Sequence, residues 1–207
     1  MVLRKSFLAE PYYRWIDKRI LPYVNRLTLS PNQFTLVGVL LAAAVPIGFF
    51  LHPVVGLLFM LISGFVDTLD GLLARRRNVA STFGAFLDST LDRISDFFYI
   101  FGFWTLFWNS DRFILASVLI FASSLTTVMI SYVKARSEAL GGTCSIGWME
   151  RGWRTIYLII WAFLICALPP LADLTLWAGL VLYFVLTSIT VLQRITHSRM
   201  EFSRSKG

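Results

Sequence analysis

Long apolar runs alternate with short polar breaks along the whole chain. The runs fall near 34–51, 53–73, 83–108, 113–133, 155–171 and 174–193. Each is close to the roughly 20 residues that a helix needs to cross about 30 Å of hydrocarbon. Apolar and polar positions do not alternate with period two, so the pattern predicts helices and argues against a membrane β-barrel. Upstream, residues 7–27 mix Phe7, Leu8, Tyr12, Trp15, Ile16, Ile20, Leu21 and Tyr23 with Arg14, Lys18, Arg19 and Arg26 at roughly helical spacing. That pattern predicts an amphipathic helix lying at the membrane surface, bounded by Pro11 and Pro22. Ser30 is a good N-cap and Pro31 a good first helical residue, so the first span starts there. The expected fold is an all-α membrane protein: six transmembrane helices at 30–199, preceded by the interfacial helix, in one domain over 1–207.

Composition supports this reading. Of 207 residues, 57% are hydrophobic and 15% charged, with a mean hydropathy of +0.68. A soluble domain carries about 25% charged residues. The net charge is +7, and its placement matters more than its size. Six spans put both termini on one side, together with eighteen of the nineteen basic residues; only Arg112 falls on the other. The positive-inside rule makes the crowded side cytoplasmic, and the expected location is the cell (inner) membrane. A nucleic-acid binder is also basic, but its charges are not interrupted by long oily runs, so no nucleic-acid partner is expected. Cys144 and Cys166 lie too far apart in this topology for a metal-type cluster or a disulfide.

The unexpected chemistry lies in residues 65–96, FVDTLDGLLARRRNVASTFGAFLDSTLDRISD, which holds Asp67, Asp70, Asp88, Asp92 and Asp96 between oily flanks. Asp67, Asp70 and Ala74 share one helical face, and Gly84, Asp88 and Asp92 recur at intervals of four on the next helix. Two adjacent antiparallel helices would bring four carboxylates together. Their mutual repulsion in a low dielectric calls for protonation or for cations. An all-oxygen cluster suits Mg²⁺ or Mn²⁺ rather than Zn²⁺, and two divalent ions would balance four carboxylates. Hard metals beside carboxylates point to phosphate chemistry, with Arg75 as a further phosphate contact and a partly free carboxylate as a base.

The arrangement Asp-x2-Asp-Gly-x2-Ala-Arg-x8-Gly-x3-Asp-x3-Asp, written here as DTLDGLLAR and GAFLDSTLD, resembles the signature of the CDP-alcohol phosphotransferase family. All eight positions are present. The resemblance implies a six-helix membrane enzyme, commonly a homodimer, that moves a substituted phosphate from a CDP-linked lipid to an alcohol and releases CMP. It assigns Asp67, Asp70 and Asp88 to a metal pair, with Asp92 as a further ligand and the general base. It assigns Gly71 and Arg75 to the CDP end of the donor, joined by Pro31, Asn32, Thr35 and Ser81. Asp96 falls outside the signature and is expected to make a supporting hydrogen bond or to pair with a basic side chain rather than to ligate a metal.

Three helix ends bring cations to the same level. Ser131 and Lys134 end the fourth span, Arg151 and Arg154 open the fifth, and Arg194 ends the sixth. Lys134, Arg154 and Arg194 resemble the basic trio of phosphatidylinositol-phosphate synthases within the family. That implies a pocket for the phosphate of a phosphorylated polyol, inositol phosphate above all, with Ser131 beside it. Trp153 departs from this pattern, since related enzymes tend to carry an acid there. The nearest rival is a phosphatidylglycerophosphate synthase using glycerol 3-phosphate. A more distant one is a transporter whose intramembrane acids carry protons or cations. Arg199, Arg204 and Lys206 read as residues that snorkel to headgroups, and Arg136 is undecided.

Overall fold

The structure is a computed structural model that describes residues 9–26, 29–77, 79 and 81–204. Phe7, Leu8, Leu27 and Lys206 of the expectations above lie outside the described residues. Among those described, every regular element is helical. They are α1 (Ala9–Arg19), α2 (Leu21–Val24), α3 (Pro31–Leu51), α4 (Pro53–Arg76), α5 (Thr82–Thr105), α6 (Phe113–Ala139), α7 (Arg151–Ala167) and α8 (Ala172–Arg204), with a 3-10 turn at Pro169–Leu171 leading into α8.

Local sequence sets the boundaries. Ser30 and Gln33 form a reciprocal capping box at the start of α3, with Pro31 in its first turn. This satisfies backbone donors that have no partner inside the helix. The His52 side chain caps α4, and Ser81 caps α5 by accepting from Gly84 N at 2.9 Å. Four segments are long and apolar enough to cross a membrane: Pro31–Leu51, Pro53–Arg76, Phe113–Ala139 and Pro169–Arg204. α5 is 24 residues long but carries Asp88, Asp92, Arg93 and Asp96. α7 has 17 residues, with Arg151 and Arg154 in its first turn.

The N-terminal segment departs from the single amphipathic helix expected at 7–27. It forms two helices that break at Ile20, with Pro11 inside the first turns of α1 and Pro22 inside α2. Ile16 and Leu21 are fully buried against Phe34, Leu69, Leu72 and Leu73 of α3 and α4. Tyr12, Trp15 and Tyr23 stay exposed. The segment thus packs part of its apolar surface on protein. Arg77 pins it further, donating to Asn25 Oδ1, Asn25 O and Leu29 O at 3.0, 3.1 and 2.6 Å.

The six long helices close into a ring. α3 packs on both α4 and α5, α5 continues to α6, α6 to α8, α8 to α7, and α7 returns to α4. α4 and α5 meet through Ser63, Tyr99 and their aspartates, and α3 packs closely against both. The reason is visible in the glycines. A Cβ at Gly48 would fall 2.9 Å from the backbone of Gly56, and one at Gly102 would meet Phe49 and Val45 at 2.8 Å. Small residues let helix backbones approach closely where no hydrophobic effect drives association. Ser63 Oγ donates to Gly38 O at 2.7 Å, and Tyr99 donates to Ser63 Oγ at 2.8 Å, so one hydrogen-bonded chain ties α5, α4 and α3 together.

One end of the ring is filled. Met60, Phe103, Phe107, Trp161, Leu180 and Tyr183 form the main apolar core, with the Phe103 and Trp161 rings stacked at 3.9 Å. Trp104 and Trp177 join the aromatic packing there. Trp15, Trp108 and Trp153 are exposed. At the other end, where α3, α5 and α7 begin and α4, α6 and α8 finish, the interior is polar.

Candidate active site

α4 and α5 turn their aspartates into the polar end of the ring. The spacing of three on α4 and four on α5 keeps each set on one face. One carboxylate oxygen from each of Asp67, Asp70 and Asp88 lies within 4.8 Å of the others. Asp70 is 5% exposed, and its Oδ2 is buried with no hydrogen-bond partner. A buried acceptor left unsatisfied costs on the order of 1–3 kcal/mol, more when it is charged. Converging oxygens with an orphaned acceptor among them fit a hard divalent cation such as Mg²⁺ or Mn²⁺. Asp92 lies outside this trio.

Asp92 is instead met by Arg151, which the sequence reading left without a role. Arg151 Nη2 lies 2.6 Å from Asp92 Oδ1 and 3.0 Å from Asp67 Oδ1. A single guanidinium nitrogen thus joins α7 to both acidic helices. The one sequence signal was its place in MERGWR, three residues before Arg154 on the same helix face. Asp96, one turn deeper, pairs with Arg154 at 2.6 Å.

Two cavities open on the acidic cluster. The first, about 450 Å³, is lined by all five aspartates together with Ser131, Lys134, Glu150, Arg151, Arg154 and Arg194. The second, about 480 Å³, is lined by Pro31, Asn32, Thr35, Ser81 and Gly84 on its outer side. Asp70, Gly71, Arg75 and Asp88 line both, and so form the wall between them. The residues assigned to the CDP end therefore gather around one cavity, and those assigned to the acceptor phosphate gather around the other. A Cβ at Gly71 would sit 3.6 Å from the Arg75 guanidinium, on the surface of that wall.

The cations expected at the acceptor phosphate are not equally available. Arg154 is 2% exposed and donates to Asp96 and, at 3.0 Å, to Met149 O. Arg194 is 3% exposed and donates to Ile130 O at 2.6 Å and Ile146 O at 2.8 Å. Both hold the extended segment between α6 and α7, where Gly141 and Gly147 take positive φ angles of 85° and 113°. Lys134 is freer, with its side chain 42% exposed and Glu138 at 3.9 Å. Arg136, Arg199 and Arg204 are exposed on the outside of the same end.

Residues 28–185 match the family model of CDP-alcohol phosphatidyltransferases. The chain is 40% identical over 147 residues to the archaetidylinositol phosphate synthase of Methanothermobacter thermautotrophicus, covering 70% of each chain. Its fold is similar to that of Mycobacterium tuberculosis phosphatidylinositol phosphate synthase in complex with manganese and citrate. The TM-score is 0.75 at 30% identity, with 88% of each chain covered. Against the same enzyme with CDP-DAG bound, the TM-score is 0.71 at 28% identity, covering 93% of this chain and 94% of that one. The matched stretch contains the whole aspartate signature that divides the two cavities, and the chain belongs to the CDP-alcohol phosphatidyltransferase family, a family of membrane-embedded transferases of lipid synthesis.

Proposed function

We propose that this enzyme transfers a phosphatidyl or related lipid-phosphate group from a CDP-linked lipid, such as CDP-diacylglycerol, to a hydroxyl of inositol phosphate. The products are phosphatidylinositol phosphate and CMP. The observation that carries the proposal is the pair of cavities sharing the wall of Asp70, Gly71, Arg75 and Asp88. A two-substrate transfer needs a donor site and an acceptor site that meet at the reacting phosphorus, and a phosphorylated acceptor needs cations on its own side. The names of the relatives and the CDP-DAG complex of the M. tuberculosis enzyme support the same pairing.

In this reading Pro31, Asn32, Thr35, Ser81, Gly71 and Arg75 hold the CDP end of the donor. Ser131, Lys134, Arg154 and Arg194 form the acceptor-phosphate pocket. The acceptor hydroxyl attacks the β-phosphorus in line; the new O–P bond forms as the bond to CMP breaks, and CMP leaves with the electron pair. Asp92 takes the hydroxyl proton. Asp67, Asp70 and Asp88, with Asp92, would hold two Mg²⁺ or Mn²⁺ ions, which supply positive charge to the phosphate oxygens and the leaving group. The manganese complex of the M. tuberculosis enzyme supports a divalent ion in this family.

The chain acts as one six-span domain in the cell membrane, with both termini and the site cytoplasmic, and as a homodimer. The basic residues at the polar end and the family resemblance support this arrangement. The test is CMP release by purified protein with Mg²⁺ and CDP-diacylglycerol, in separate reactions with inositol phosphate, glycerol 3-phosphate, inositol and serine. Release with inositol phosphate alone is the expected result. Release only with glycerol 3-phosphate would transfer the assignment to phosphatidylglycerophosphate synthesis.

A further inference from the structure

We propose that Arg151 is an internal counter-ion that competes with the divalent cations for Asp67 and Asp92. Cation binding releases its guanidinium to the acceptor's phosphate, so metal loading and acceptor binding are coupled. The inference rests on the metal reading above and deepens it. Its basis is the bridge itself: one nitrogen, Nη2, reaches Asp67 Oδ1 at 3.0 Å and Asp92 Oδ1 at 2.6 Å. Asp67 is also one of the three converging carboxylates. A doubly charged ion among those oxygens would stand a few ångströms from a fixed positive charge. The two cations repel each other and draw on the same carboxylate.

A released guanidinium has a place to go. Arg151 lines the 450 Å³ cavity, its side chain is 37% exposed, and its Nε is buried without a hydrogen-bond partner. Arg154 and Arg194 already have donors engaged by Asp96 and by backbone carbonyls. Arg93 and Lys134 line the same cavity, so a released Arg151 would join them in meeting an incoming phosphate. Freeing Arg151 also leaves Asp92 able to accept a proton. Thermodynamic reciprocity then requires that phosphate strengthen metal binding by the factor with which metal strengthens phosphate binding.

The test is Mn²⁺ binding to the purified full-length protein in detergent, followed by electron paramagnetic resonance, with and without inorganic phosphate. Wild type should bind Mn²⁺ more tightly with phosphate present. Arg151→Gln should bind Mn²⁺ on the order of tenfold to a hundredfold more tightly and lose the effect of phosphate, as expected for removal of a nearby unit charge. Unchanged or weaker Mn²⁺ affinity in a variant of wild-type melting temperature would overturn the proposal, as would wild-type affinity indifferent to phosphate. Arg151→Lys guards against a folding defect. Its single nitrogen keeps the positive charge between the two carboxylates, so Mn²⁺ affinity should stay near wild type, and affinity as tight as that of Arg151→Gln counts against the charge as the competitor. Wild type that binds no Mn²⁺ overturns the metal reading itself, whereas binding that ignores Arg151 overturns only this coupling.

Discussion

Arg154 of α7 and Asp96 of α5 form an ion pair of 2.6 Å, with side chains 2% and 3% exposed, at the lining of the 450 Å³ cavity. Breaking a buried pair from one side leaves an uncompensated charge, typically at a cost of about 3–5 kcal/mol, whereas replacing both partners with apolar residues is often close to neutral. Arg154→Met and Asp96→Leu should each lower the melting temperature in detergent sharply. The double variant should recover much of the loss. Additive losses in that cycle would show that the two side chains act independently.

Asp88 and Asp92 share a helix face but have different neighbours. Asp88 belongs to the converging trio, and Asp92 sits against Arg151. Asp92→Asn should lower kcat by about 10²–10⁴-fold, the usual contribution of a general base, while Mn²⁺ still binds. Asp88→Asn should weaken Mn²⁺ binding as well as turnover. Chelation with EDTA should stop CMP release, and added Mg²⁺ or Mn²⁺ should restore it. Turnover that survives chelation would remove the metal from the mechanism.

Much of this site could be read before any coordinates. Asp67, Asp70, Asp88 and Asp92 announce themselves because charge is rare in apolar helices, and their spacing fixes the faces they occupy. Ser30 and Pro31 mark a helix start through local chemistry alone. What escaped depends on which helices meet. Arg151 looks, in sequence, like a cation snorkelling at a helix end; only the meeting of α7 with both acidic helices gives it Asp67 and Asp92. The same limit hid which cation Asp96 meets, and the close packing of α3 against both α4 and α5. Glycine-mediated approach between α3, α4 and α5 depends on which turns face each other, which hydropathy does not encode.

Gly71 should tolerate alanine structurally and resist it functionally. An added Cβ would sit 3.6 Å from Arg75 Nη1, an ordinary contact, so the melting temperature should stay near that of wild type. The methyl group would nevertheless project from the wall shared by both cavities. Gly71→Ala should therefore raise KM for the CDP-lipid, and Gly71→Val should raise it further, with little change in Mn²⁺ affinity. A KM that does not respond would separate Gly71 from the donor.

Lys134 and Arg194 are both assigned to the acceptor phosphate, yet their surroundings predict different failures. Lys134 is partly exposed, and Glu138, one turn on in the same helix, is 3.9 Å away. Such a pair is worth at most about 0.5 kcal/mol, so Lys134→Met should leave stability nearly unchanged. Its loss should appear as a KM for inositol phosphate raised about tenfold, since a charged hydrogen bond is worth roughly 1.5–3 kcal/mol. Arg194 is sealed, and it ties α8 to Ile130 of α6 and to Ile146 of the following segment. Arg194→Met would take a donor from one buried and one half-buried carbonyl, so its melting temperature should fall before any kinetic effect can be isolated. Arg194→Lys keeps the charge but not the fork, and should lose stability and acceptor affinity together. If Lys134→Met instead lowers kcat at unchanged KM, the lysine acts on the transferred phosphate rather than on the acceptor.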